Sequence, residues 1–122
     1  MAQIIPVDDK LKQQRYCLLL GIPFDLSLMA YAVIQHGDIV GLCQFELSDD
    51  VCRIRNLAFD NSKINKQIPL MLLRSIIDFS DDCMVERVEI CTENISEDIL
   101  FSAGFSIRED RCYQIKLQNF SH

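Results

Sequence analysis

Arg53 and Arg55 stand two apart in the run Val-Cys-Arg-Ile-Arg-Asn (51–56), the spacing that sets two guanidinium groups on one face of an extended strand. Such a pair either holds an anionic ligand through forked hydrogen bonds or ion-pairs with the chain's own carboxylates. Those carboxylates are in excess: 18 Asp and Glu against 12 Lys and Arg leave a net charge of −6. The two histidines add little, since His36 adjoins a turn glycine and faces solvent, and His122 is the terminal residue. The acidic doublets Asp49-Asp50 and Asp81-Asp82 have no third ligand near them in sequence, so they read as solvated turn residues and no metal site is expected. No G-x-S-x-G, H-E-x-x-H or Walker loop occurs, and 4 glycines leave little material for a phosphate cradle. The 6 cysteines (Cys17, Cys43, Cys52, Cys83, Cys91, Cys112) show no C-x-x-C spacing and mostly lie in apolar runs. They are expected to be reduced thiols packed as small hydrophobes.

A length of 122 residues suits one domain, 1–122, large enough to bury a core without staples. With 49% apolar and 25% charged residues the composition excludes a disordered or fibrous chain. An acidic surface repels phosphate backbones and anionic headgroups, so neither nucleic acid nor a membrane surface is an expected partner. No apolar run approaches the ~18 residues a bilayer requires, and the N-terminal residues lack the basic start of a secretory signal. Together with reduced cysteines, this predicts a cytoplasmic protein.

The elements that must position these groups follow from periodicity and punctuation. Residues 4–7 suit a short strand; Asp8 or Asp9 can cap a helix running to about Leu20, which Gly21 and Pro23 end. A short helix is expected from Asp25. Residues 30–36 and 39–47 form a hairpin about Gly37-Asp38, and a second turn at 48–50 leads into a third strand over 51–59. On that strand Cys52, Ile54 and Ala58 are predicted to share the core face. After a polar loop, Leu72, Leu73, Ile76 and Ile77 make the stripe of an amphipathic helix over 68–80, with Pro69 in its first turn. That helix should stop before Asp81-Asp82, which would oppose its negative end. A strand at 85–92 following a helix suggests a parallel crossover. Asn94 or Ser96 caps a short helix that Gly104 ends, and a final hairpin spans 105–117. The fold class is therefore α+β: a mixed sheet, an antiparallel meander followed by β-α-β-α-β, with helices on both faces.

In this order the segments resemble the GNAT acetyltransferase superfamily. Residues 30–47, with Ile39-Val40-Gly41 in the second strand, resemble its central hairpin. Arg53-Ile54-Arg55-Asn56-Leu57-Ala58-Phe59 is similar to its fourth strand, residues 70–79 to the helix after its coenzyme loop, and Ile99 through Phe105 to its late L-Y-x-x-x-G-F segment. The likeness covers about residues 30–117. It implies an N-acetyltransferase moving acetyl from acetyl-coenzyme A to an amine, the coenzyme held by Leu57, Ala58 and Phe59 and by the loop Ile64, Asn65, Lys66, Gln67, Ile68 and Pro69 before the helix. Asn94 matches an asparagine often close to the coenzyme.

The family's loop motif, Q/R-x-x-G-x-G/A, here reads Ile64-Asn65-Lys66-Gln67-Ile68-Pro69, so all three signature positions differ. Pro69 removes an N–H donor, whereas Lys63 and Lys66 bring positive charge and Asn65 can take a left-handed conformation. The late tyrosine is replaced by Leu100-Phe101. Glu46 is the candidate general base, its other reading being a solvated carboxylate. An acidic surface favours a small or basic amine acceptor. The alternative is a GNAT-like ligand- or protein-binding module without turnover, and a third reading pairs the splayed sheet with a second copy as a homodimer.

Overall fold

The computed structural model describes residues 2–91, 95–109 and 111–117. Asp9 accepts from the N–H groups of Leu11 and Lys12, and Gly21 closes the first helix in the left-handed conformation at φ 73°, so α1 runs over Lys10–Leu20 as its caps foretell. It follows strand β1 (Ala2–Pro6) and precedes β2 (Met29–Gln35), β3 (Asp38–Ser48) and β4 (Val51–Phe59). Helix α2 (Gln67–Asp82), β5 (Arg87–Cys91), α3 (Glu97–Ala103), β6 (Ser106–Glu109) and β7 (Cys112–Lys116) complete the elements of the described residues.

These strands form one sheet of 7, ordered β1-β2-β3-β4-β5-β7-β6. Only β4 and β5 are parallel, joined by the crossover through α2; every other pair is antiparallel. α2 and α3 cover one face. Leu72, Leu73 and Ile76, all fully buried, pack on Phe45, Leu57, Val88 and Ile90. α1 covers part of the other face over Ala30, Ala32 and Leu42. Its hold is as much polar as apolar. Gln13, fully buried, donates from Nε2 to Gln44 Oε1 at 2.9 Å, and Gln44 donates to Pro23 O and Asn56 Oδ1, each at 2.8 Å. No buried side-chain nitrogen or oxygen among the described residues lacks a partner.

Several expectations need correction. No helix starts at Asp25: its carboxylate accepts from the Ser27 N–H at 2.9 Å and the Ser27 hydroxyl at 2.7 Å, a local bond that competes with helix formation. The first hairpin turns on His36-Gly37, both at positive φ (53° and 82°), with Gln35 facing Asp38. α2 continues through Asp82, closed by the Cys83 N–H donating to Phe79 O at 3.0 Å. On β4 the core residue after Ile54 is Leu57 rather than Ala58, because a bulge shifts the alternation. Ser96 is the observed α3 cap, accepting from the Ile99 N–H at 3.4 Å; the other candidate, Asn94, lies outside the described residues, as does His122.

The cysteines also divide. Cys17, Cys43 and Cys52 are buried free thiols, and burial raises each thiol pKa, Cys52 to about 11. Cys83 is free and exposed. Cys91 and Cys112, 21 residues apart, face each other in the β5–β7 register and form a disulfide. Sequence spacing does not show a cross-strand register, so this pair was invisible as a pair. It also removes the cysteine argument for a cytoplasmic location. No described helix is long and apolar enough to cross a membrane.

Candidate functional site

The site grows out of one irregularity in β4. Gln44 faces Asn56 and Phe45 faces Ile54, so Arg55 is the extra residue of a bulge. A bulge bends its strand and re-aims the side chains beyond it. β4 keeps its pairing to β3 as far as Phe59, but its parallel pairing to β5 ends at Ile54–Ile90. Past that pair β4 runs on beside β3 alone, and two cavities lie near this stretch, one beyond its end towards α2 and α3, the other on the opposite face beside Arg53 and Arg55.

On the α2 and α3 side the cavity measures about 320 Å³. Phe59 from the end of β4, Asn61, Ile64, Asn65 and Lys66 from the loop, Pro69 from α2, and Ile95, Ser96 and Ile99 at the start of α3 form its walls. The loop is held by its own side chains. Asp60 Oδ1 accepts from the Ser62 N–H and hydroxyl at 3.1 and 2.6 Å, and Lys63 Nζ lies 3.5 Å from Asp38 Oδ2. Asn65 does not adopt positive φ; its Oδ1 accepts from the Gln67 N–H at 2.9 Å. That bond and Pro69 together remove two of the donors a helix start ordinarily offers an anion. Gly41 serves the same wall: a Cβ there would lie 2.9 Å from Phe59 Cδ1 and 3.2 Å from Val33 Cγ2, so only glycine lets the Phe59 ring lie across β3.

On the opposite face a cavity of about 260 Å³ is lined by Arg53, Ile54, Arg55, Glu89 and Cys91. Glu89 is 6% exposed. It accepts from Arg87 Nε at 2.7 Å, with Arg108 Nη1 at 3.2 Å and Arg53 Nε at 3.6 Å. Burial opposes its charge, but the Arg87 hydrogen bond and the charges of Arg87, Arg108 and Arg53 outweigh it, so its pKa lies below the ordinary 4.5. A carboxylate lowered in the folded state stabilises fully above the unfolded pKa, and the contribution is lost as pH falls through the folded value. Denaturant midpoints of the wild type are therefore expected to fall more steeply below pH 4.5 than those of Glu89→Gln. Parallel pH profiles for the two proteins would refute this.

Glu46 lies on the same face. Its Oε1 accepts from Arg55 Nη2 at 2.8 Å, and this bond is the main cause of a lowered pKa. Ion pairing therefore makes Glu46 a weaker base than a lone glutamate. Phe101, in the position of the family tyrosine, packs edge-on against Tyr113, whose hydroxyl donates to Glu97; neither ring lines either cavity.

Of the residues expected at a coenzyme site, the structure brings together Phe59, Ile64, Asn65, Lys66 and Pro69. Leu57 and Ile68 are buried in the core, Ala58 lies on the face opposite Leu57, Gln67 is exposed, and none of the four lines the cavity. Asn61, Ile95, Ser96 and Ile99 were not expected, and neither was Glu89. The polar position in Val-Glu-Ile marked Glu89 as off the core face, but nothing local showed the arginines it would meet.

The seven-stranded sheet with its one parallel pair crossed by α2 superposes on solved structures. An acetyltransferase of the GNAT family from Staphylococcus aureus superposes with a TM-score of 0.71 at 15% identity, over 97% of this chain and 100% of that one. The chain has the GNAT fold. The ribosomal-protein-S18-alanine N-acetyltransferase from Escherichia coli gives a TM-score of 0.78 at 13% identity, covering 96% of this chain and 94% of that one. A Bacillus subtilis acetyltransferase in complex with CoA gives 0.74 at 15%, covering 96% and 99%. No protein-family model and no curated protein matches the sequence. At these identities the likeness is one of GNAT architecture, and the chemistry must be argued from the site.

Proposed function

We propose that this protein transfers an acyl group, acetyl in the simplest case, from a coenzyme A thioester to an amine. The observation that carries the reading is the early end of the β4–β5 pairing with a cavity near it on each face of the sheet, one for the thioester arm and one for the acceptor. The residues fit the coenzyme unevenly. Phe59, Ile64 and Ile99 offer an apolar wall to the pantetheine arm, and Lys66 brings charge for the diphosphate. The helix start offers that diphosphate fewer amides than it otherwise would, because Asn65 and Pro69 take two away.

The chemistry needs little from side chains. The amine nitrogen forms a C–N bond to the acyl carbon as the C–S bond breaks, and the proton lost from nitrogen ends on the departing thiolate. Glu46 and the charge cluster around it hold the amine, and proximity supplies much of the rate. An acceptor arriving as an ammonium hydrogen-bonds to Glu46, which Arg55 keeps ionised, and first gives one proton to solvent through water there; the second, lost on acylation, is the one the thiolate takes.

Isothermal titration with acetyl-coenzyme A, followed by acetylation of an amine panel, tests this. Saturable binding with a Kd in the high micromolar range and acylation of at least one amine are expected; no heat at millimolar ligand overturns the reading. The amides that Asn65 and Pro69 withhold also favour a second reading, a GNAT-fold binding module without turnover. Saturable binding with every amine left unmodified would select it.

A further inference from the structure

Resting on the acyl-transfer reading, we infer that the acceptor carries a carboxylate beside its amine, as an α-amino acid does, and that Arg55 reads that carboxylate. The chain as a whole bears −6, yet the face around the acceptor cavity sets Arg53, Arg55, Arg87 and Arg108 against Glu46, Glu86, Glu89 and Asp25, the last acting on Glu46 through its charge. The cleft is therefore balanced in charge where the rest of the protein is acidic, and it repels a carboxylate less than the surrounding surface does.

The arginines are not equivalent. Arg87 and Arg108 are committed to Glu89, and Arg53 Nη1 donates to Ser48 Oγ at 2.9 Å. Arg55 is the bulge residue, its side chain 49% exposed at the cavity wall. Among the described residues its guanidinium has one hydrogen-bond partner, Glu46 Oε1, with the Glu89 charge also acting on it, and a guanidinium carries five N–H donors in a planar fork. The remaining donors suit a bidentate grip on a carboxylate. As a purely structural ion pair, a half-exposed Arg–Glu contact would contribute little, and it would not need to stand on a bulge at the mouth of a cleft.

Glu46 completes the arrangement. Its Oε1 lies 2.8 Å from Arg55 Nη2, so one cation and one anion stand side by side, the mirror of a zwitterion's carboxylate and ammonium. A polyamine or other polycation would set a second cation against the Arg55 guanidinium. The basic acceptor that the overall charge suggests therefore gives way to a zwitterionic one, because the Arg55–Glu46 pair acts at contact while the distant surface charge is screened by salt.

A titration without any thioester separates this inference from the acyl-transfer reading. N-acetyl-L-alanine, whose only charge is its carboxylate, and the neutral N-acetyl-L-alaninamide are each added to 15N-labelled protein. The acid is expected to bind at least about 10-fold tighter than the amide, with amide shifts at residues 53–55 and 89–91. Arg55→Gln should abolish that preference. Arg55→Lys, which keeps the charge but not the fork, should weaken it, and Arg15→Gln on the exposed side of α1 should leave it intact. Equal binding of the two probes, no binding of the acid, shifts confined to another region, or a preference that survives in Arg55→Gln would each overturn the inference. Failure of acyl transfer alone would not, since no acyl donor is present.

Discussion

Reduction of Cys91–Cys112, or Cys91→Ser, is expected to destabilise the protein by about 3 kcal/mol, the loop-closure value for a bridge spanning 21 residues. In a domain of this size that corresponds to a fall in Tm of roughly 10 °C. The bridge closes the chain segment that holds α3, β6 and the last turn of the sheet. Without it that segment is tied to β5 by the β7 ladder and by the contacts of Leu100, Phe105 and Tyr113 with the core. The loss should be local as well as global. Cys91 ends β5 just past its last pairing to β4 and lines the cavity beside Arg53 and Arg55, so hydrogen exchange at residues 88–91 should quicken on reduction while residues 30–45 change little. A scan with and without dithiothreitol checks the first expectation. Identical melting curves would show that the β7 ladder alone fixes this end of the sheet.

The parts of this architecture legible in the sequence were those with local causes. Asp9 and Gly21 bracket α1, Leu72, Leu73 and Ile76 give α2 its buried stripe, and Gly104 ends α3, each through contacts within a turn or two of chain. The α2 crossover also followed, since a helix between two strands of one sheet leaves few alternatives. What escaped were effects of register. The bulge at Arg55 exists because β3 and β4 settle with Gln44 opposite Asn56, and no local signal announces it; yet it moves Leu57 into the core and Ala58 out. The disulfide, the Glu89 cluster and the buried Gln13–Gln44 pair share that origin, for each joins residues from strands or helices distant in sequence. The pairing of Arg53 and Arg55 on one face was readable, but their partners were not. Whether a guanidinium serves a ligand or a neighbour depends on how many carboxylates the fold brings within reach, and that is a tertiary property.

The variant Asn65→Gly/Pro69→Ala is expected to bind coenzyme A about 10- to 100-fold more tightly than the wild type. The Asn65 change frees the Gln67 N–H, now held by Oδ1 at 2.9 Å, and the Pro69 change restores a missing donor in the first turn of α2. A hydrogen bond to a charged acceptor is worth about 1.5–3 kcal/mol, so either amide alone would suffice for the lower figure. The helix should tolerate the exchange. Losing the Asn65 bond costs about 1 kcal/mol, and alanine has the best intrinsic helix propensity. The gain must depend on the diphosphate. Pantetheine, which has the arm but no phosphate, should bind wild type and variant within about 2-fold of each other, since Phe59, Ile64 and Ile99 remain as they were. Paired isothermal titrations of the two ligands decide the matter. A gain for coenzyme A alone would mean that this loop sets affinity through the amides it withholds. An equal gain for both ligands would mean that the loop acts through the shape of the slot, and no gain for either would place the diphosphate away from α2, removing the argument that ties this cavity to a coenzyme.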